Sequence, residues 1–235
     1  MVRSFFFLPA LAIACTDVKS TSIATDGIYL DYNVVTEGAG TGSQANAVLR
    51  VGGLTSTTFV DLDGADTLAV SAGDEEHNLS QSSLGVMHSY DASFDADAVG
   101  SEFVLRMDRE EMEAAPNSIA TLPEGFEITA PAAETTYSRS GDVDLELTWE
   151  STGADPMTIE INGDCIPLYV QTEPVDSGSH TVSMSDLEDD GMDTQTTCTA
   201  VVTIERRKLG ALDSAYGGGT VYGAQRRTLE IKLSP

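Results

Sequence analysis

Val143-Asp144-Leu145-Glu146-Leu147-Thr148-Trp149-Glu150 alternates strictly between apolar and polar residues, and this period of two decides the fold class. Successive side chains of a β-strand point to opposite faces, so Val143, Leu145, Leu147 and Trp149 share a buried face while the acids share a wet one. The pattern recurs in Tyr90, Ala92, Phe94 and Ala96, set against Asp91, Ser93, Asp95 and Asp97. Ile28, Leu30, Tyr32 and Val34 repeat it, as do Ala45, Ala47, Leu49 and Val51, and then Leu68, Val70 and Ala72 after the Asp63-Gly64 turn. Further strands are expected at 103–107, 157–161, 166–170, 181–184, 198–204, 221–224 and 228–233. Helical periodicity is nearly absent. Only 108–115 reads as a helix, with Asp108 as cap, Glu111 three residues on and Pro116 after the stop.

Short strands punctuated by Gly, Asp, Asn and Pro predict an all-β protein of antiparallel β-sandwiches. The length of 235 residues suits two such domains. The seam is placed at Leu122-Pro123-Glu124-Gly125, giving a first sandwich at 26–122 and a second at 123–235. Residues 15–25, rich in Ser and Thr, read as a flexible tether.

The first fourteen residues have the layout of an export signal: a positive charge at Arg3, an apolar run from Phe5, and small residues before Cys15. The run is too short to span a bilayer. Leu11-Ala12-Ile13-Ala14-Cys15 resembles the lipobox of bacterial lipoproteins, which implies cleavage at 14 and lipidation of Cys15. In an ordinary secretory signal Cys15 would be incidental. Acyl chains on Cys15 would tie the chain to a membrane without a spanning helix, each buried CH₂ contributing about 0.8 kcal/mol.

Lipidation would use one of the three cysteines and leave Cys165 and Cys198 to pair in an oxidising compartment. Their parities agree, since Cys165 follows Ile159 and Ile161, and Cys198 precedes Ala200, Val202 and Ile204. An internal bridge of this kind resembles an immunoglobulin-like domain, although Trp149 precedes both cysteines instead of lying between them. Over the whole chain several features are similar to exported lipoproteins of myxobacteria. They are the lipobox, a sandwich-like first half, a Pro-rich seam before the Leu145–Trp149 strand, Cys165 after Asn162-Gly163, and the closing run Glu205-Arg206-Arg207-Lys208-Leu209-Gly210 with Gln225-Arg226-Arg227. That family implies an address and a fold and almost nothing of chemistry.

Twelve Lys and Arg against 38 Asp and Glu give a net charge of -26, which excludes an ordinary nucleic-acid binder. Enzyme motifs are not found. His77, His88 and His180 are isolated in sequence, Gly178-Ser179-His180 lacks the nucleophile-elbow spacing, and Gly38-Ala39-Gly40-Thr41-Gly42 lacks the Lys of a P-loop. With so many acids, no pair of carboxylates stands out as a glycosidase dyad. Two acidic loops resemble hard-cation sites because they set several carboxylates around a Gly. One is Asp61–Asp66; the other holds Asp186, Asp189, Asp190 and Asp193 around Gly191. As alternatives, the first is a hairpin turn and the second a solvated tip. No cofactor is otherwise implied, calcium being the one candidate. Six of the cations fall in the last thirty residues, either paired with acids of the same domain or forming a basic edge that receives a partner.

The expectation is a lipid-anchored protein of the bacterial cell envelope, facing the periplasm or the exterior. It would be a non-catalytic binding, adhesion or structural module whose partners are the membrane and a protein or glycan. The alternative is a calcium-dependent carbohydrate-binding module or an accessory subunit of a secreted hydrolase. The charge leads to a direct test. Self-repulsion opposes compaction and is screened by salt, the Debye length being about 10 Å at 0.1 M. The thermal midpoint is therefore expected to rise between low salt and about 0.5 M NaCl, as followed by circular dichroism.

Overall fold

The computed structural model describes residues 17–84, 87–141, 143–187 and 197–235. Cys15 lies outside them, as do Asp189, Asp190 and Asp193 of the second acidic loop. Among the described residues the strands of the N-terminal half are β1 (Asp17–Lys19), β2 (Ile28–Thr36), β3 (Ser43–Val51), β4 (Phe59–Asp61), β5 (Thr67–Ala72), β6 (Glu75–Asn78), β7 (Ser80–Leu84), β8 (Met87–Phe94), β9 (Glu102–Asp108) and β10 (Ala115–Thr121). They are followed by β11 (Ile128–Ala130), β12 (Thr136–Ser138), β13 (Leu145–Trp149), β14 (Met157–Gly163), β15 (Tyr169–Glu173), β16 (Ser179–Val182), β17 (Cys198–Leu209) and β18 (Gly218–Ser234). The only helical elements among them are three short 3-10 turns, at Ser20–Ser22, Thr25–Gly27 and Met184–Leu187. The chain is all-β.

One large sheet runs β1-β4-β3-β2-β18-β17-β14-β15, with β12 attached to β18 and the β7–β8 hairpin joined through β3. A four-stranded sheet, β10-β9-β5-β6, and a three-stranded sheet, β11-β13-β16, complete the architecture. Two apolar clusters result. The first joins Ile28, Leu30 and Tyr32 of β2 to Leu68 and Val70 of β5 and to Phe103, Leu105 and Met107 of β9. The second joins Ile159 and Ile161 of β14, Val202 and Ile204 of β17, and Ile231 and Leu233 of β18 to Leu145, Leu147 and Trp149 of β13. In each case the buried residues are those of one parity, as the alternation requires.

β18 is the element common to both clusters. Its 17 residues extend about 55 Å at the usual rise per residue. Val221 enters the first cluster, while Ile231 and Leu233 enter the second. β18 pairs in parallel with β2 from Gly218↔Tyr29 to Gln225↔Thr36, and antiparallel with β17 along the whole of the latter. The expected break into strands 221–224 and 228–233 does not occur, because Arg226 lies across from Glu205 and the charges that looked like punctuation are cross-strand partners. For the same reason β17 continues past Ile204 to Leu209.

The helix expected at 108–115 is corrected. β9 ends at Asp108, and β10 begins at Ala115 with a bulge between Ala115 and Ser118. Pro116 is tolerated there because a bulge does not require its missing N–H. Residues 17–25, expected as tether, are instead docked. β1 pairs with β4, and Ser20 and Thr25 are buried. Thr25 accepts a hydrogen bond from Arg109 Nη1 at 2.8 Å, and the carbonyl of Ile23 accepts one from Nη2 at 2.9 Å.

β10 crosses against the β17–β18 pair at close range, and two glycines permit the approach. A Cβ on Gly223 would lie 2.1 Å from the Thr121 carbonyl oxygen, and one on Gly210 would lie 2.2 Å from that of Ile119. Ile119 and Ala211 exchange backbone hydrogen bonds at 2.8 and 2.9 Å just there. Gly223→Ala must therefore push two strands apart. A loss of about 1–3 kcal/mol is expected, as for overpacked cores, read as a lower denaturation midpoint. Gly27→Ala, whose Cβ would meet only Ile23 at 3.8 Å, is the control expected to leave that midpoint nearly unchanged.

Candidate functional site

The outer face of the large sheet carries a polar groove at the level where the two halves share strands, and the strand register builds it. Thr158 of β14 lies across from Glu205 of β17, and Glu205 from Arg226 of β18. Two residues back on the same face of β18, Ala224 pairs with Val35 of β2, and the β2–β3 turn brings Glu37 beside Arg226. Val35 pairs with Gln44 of β3, and Gln44 with Ser93 of β8. One band of outward-facing residues thus crosses six strands. Three cavities lie along it: one of about 350 Å³ over Thr158, Glu205 and Tyr222, one of about 270 Å³ around Glu37 and Arg226, and one of about 470 Å³ around Gly40, Gln44 and Asp97. Glu37 and Arg226 belong to the first two, and Thr41, Gly42 and Gln44 to the last two, so the three are continuous.

Glu205 organises the deep end. Its Oε2 accepts Arg207 Nε and Nη2 at 2.8 and 2.6 Å, and its Oε1 accepts Arg226 Nε at 2.7 Å and ion-pairs with Arg226 Nη2 at 2.6 Å. Burial works to raise the Glu205 carboxyl, but the charges of Arg207 and Arg226 outweigh it and hold the group below the ordinary carboxylate value. The Arg207 guanidinium stands 5.0 Å over the Tyr222 ring, whose hydroxyl burial pushes above the ordinary phenol value. Thr203, Thr228 and Glu160 complete the wall of that cavity. At the other end Asp97 accepts the backbone N–H groups of Gly40 and Gly42 at 2.5 and 3.2 Å, which pins the β2–β3 turn. Gly42, with φ at 73°, sits where a Cβ would be 2.5 Å from the Phe94 carbonyl oxygen.

Beneath this face, on the inward side of β17, Arg206 is fully buried against Asp176. Arg206 Nη2 donates to Asp176 Oδ2 at 2.7 Å and to the Glu150 carbonyl at 2.5 Å, while Nη1 donates to the carbonyls of Glu124 and Gly125 at 3.0 and 2.8 Å. Asp176 also accepts Trp149 Nε1 at 2.6 Å and the Thr152 N–H at 2.9 Å. The Arg206 guanidinium lies 4.9 Å over Phe126, and that of Arg227 lies 5.4 Å from the same ring. The seam is thereby clamped to the groove-bearing strand. Burial alone would raise the Asp176 carboxyl, but the Thr152 and Trp149 hydrogen bonds and the Arg206 charge bring it below its ordinary value.

The remaining expected sites divide among several places. Cys165 and Cys198 come within disulfide distance, their Cα atoms 6.2 Å apart and 33 positions apart in sequence. A link over such a span contributes about 3–4 kcal/mol in the chain-entropy account. Asp186 is exposed in the Met184–Leu187 turn. The carboxylates of the first acidic loop do not converge. Asp61 pairs with Lys19 at 2.5 Å and Asp66 with Arg109 at 3.2 Å, so protein cations take the places a metal would need. Among the described residues no group of three or more His, Cys, Asp and Glu is gathered for a metal. His180 is not isolated in space: its Nδ1 meets Glu173 at 3.0 Å and its Nε2 meets the Tyr169 hydroxyl at 2.7 Å, a strut between β16 and β15. Of the basic residues, Arg206, Arg207, Arg226, Arg227 and Lys232 all pair with acids of the chain. The sequence did not single out Thr158 or Tyr222, and Glu205 stood out only as the first residue of the run Glu205–Gly210. No protein-family model matches the chain, and no curated protein matches it.

The buried carboxylates make a pH prediction. Asp176 and Glu205 titrate below their ordinary values of 3.8 and 4.5 in the folded protein, so their stabilisation is complete above about 4.5. It is lost as pH falls through those values and the lower folded ones. Urea midpoints are expected to drop steeply below pH 4.5. Asp176→Asn, which strands the Arg206 charge, is expected to cost on the order of 3 kcal/mol at neutral pH and to make the acid decline shallower.

Proposed function

We propose that this chain is a non-catalytic binding module of the bacterial cell envelope, exported and anchored through lipid on Cys15, whose two immunoglobulin-like sandwiches present the groove to a ligand. The groove carries this reading. A flat sheet face is normally a mosaic of solvated side chains, whereas here a buried carboxylate holds two guanidinium planes rigidly beside a tyrosine ring. Groups fixed before binding lose little entropy on meeting a ligand, which is what a recognition surface needs. The address rests on the residues before Cys15 and on the Cys165–Cys198 pair, which suits an oxidising compartment. Clamping of the seam by Arg206 and Asp176 suits a module that keeps one groove in one shape.

Two measurements test the reading. Mass spectrometry of the membrane fraction is expected to find an acylated N-terminal Cys15, and Cys15→Ser to move the protein to the soluble fraction. A soluble wild type with a free Cys15 thiol would refute the anchor. Arg226→Ala is expected to reduce co-sedimentation of the purified chain with insoluble cell-envelope polymer about ten-fold, a difference of about 1.4 kcal/mol. Equal binding by wild type and variant would remove the groove from the account.

A further inference from the structure

We infer that the groove takes an elongated neutral polysaccharide, with the Thr158 hydroxyl as the hydrogen-bond partner of a sugar hydroxyl at its deep end. This rests on the groove being the binding surface and adds the ligand's chemistry. Thr158 is only 7 % exposed, and its Oγ1 has no hydrogen-bond partner. Met157 and Ile159, its neighbours in β14, point into the core, so strand alternation turns Thr158 to the outer face, where it lines the cavity of about 350 Å³ beside Glu205. A buried hydroxyl left unpaired is costly, and groups of this kind are rare enough in folded proteins to require a reason. A ligand hydroxyl arriving in the cavity supplies one.

The surrounding groups specify what arrives. Both Glu205 oxygens are occupied by the Nε and Nη2 groups of Arg207 and Arg226, which leaves the two Nη1 groups as donors without a protein partner among the described residues. Glu37 and Glu160 bring carboxylate acceptors to the rim, and hydroxyls stand between them. Donors and acceptors so interspersed match a molecule whose every polar group both donates and accepts, as vicinal sugar hydroxyls do. Charge argues in the same direction. The deep cavity holds three carboxylates against two guanidiniums, on a chain of net charge -26, so phosphates, uronates and nucleic acids are repelled and a neutral ligand is not. Length argues for a chain: six strands span five intervals, about 24 Å, along which the three cavities connect.

Calorimetric titration of the mature chain with cello-, xylo-, manno- and laminari-oligosaccharides, with polygalacturonate oligomers and inorganic phosphate as anionic probes, tests this. At least one neutral oligosaccharide is expected to bind and the anionic probes to fail. Thr158→Val keeps the shape and removes the hydroxyl; it is expected to weaken that binding ten-fold or more while leaving the melting temperature unchanged or higher, since an unpaired polar group has gone. Anionic oligomers binding tighter than neutral ones, no neutral binding at all, or full affinity in Thr158→Val would each overturn the inference. Arg226-dependent envelope binding that persists without neutral-sugar binding would discard the sugar and keep the groove; loss of both would discard both.

Discussion

The β17–β18 ladder is the constraint on which the rest depends. Twelve residue pairs, from Cys198↔Leu233 to Leu209↔Tyr222, fix which side chains of the two longest strands look inward and which look outward. A slip of one residue would turn every one of them over. In the observed register Val202, Ile204 and Ile231 complete an apolar cluster, Arg206 is driven inward to Asp176, and Glu205 is turned outward across from Arg226. The buried clamp and the exposed groove are therefore two faces of one pairing, separated by the thickness of a strand.

Charge is managed by the same geometry. A chain of net charge -26 has few cations, and it buries two of them where each settles more than one acceptor. Arg206 satisfies three backbone carbonyls and a carboxylate, and Arg109 ties Asp66 to the N-terminal segment through Thr25, Ser20 and Ile23. Removing one member of such a buried set leaves an unpaired charge, whereas exposed pairs such as Lys19 with Asp61 contribute little. Repulsion among the surplus acids is then a diffuse load, opposed by a few concentrated fastenings at the seam and at the N-terminal dock.

Much of the fold was legible because alternation is a local property. The strands around Leu30, Leu49, Val70, Leu105 and Leu147 each announce a buried face within a few residues, and the inward parity of Trp149, now 4 % exposed, followed from its own neighbours. The failures have a common cause in partners distant in sequence. Asp108 to Ala115 has caps and a stop but no helix, since Arg109 is held by Asp66 and Thr25, more than forty positions away. Pro116 looked like a terminator and instead sits in a bulge of β10. Thr158, among the most informative residues of the groove, is one polar residue of a strand and gives no local sign of being buried without a partner.

By itself the sequence determined the all-β class, the inward residues of most strands and the net charge of -26, because period, parity and charge are sums over near neighbours. Only the tertiary structure decided that β18 is one strand shared by both apolar clusters, that Arg206 is buried while Arg207 is half-buried, and that Thr158, Glu205, Arg226 and Glu37 meet at one groove. Those outcomes depend on which strands pair and in what register, and pairing across a hundred residues or more is settled by the collective packing of two sheets and not by any single stretch of chain.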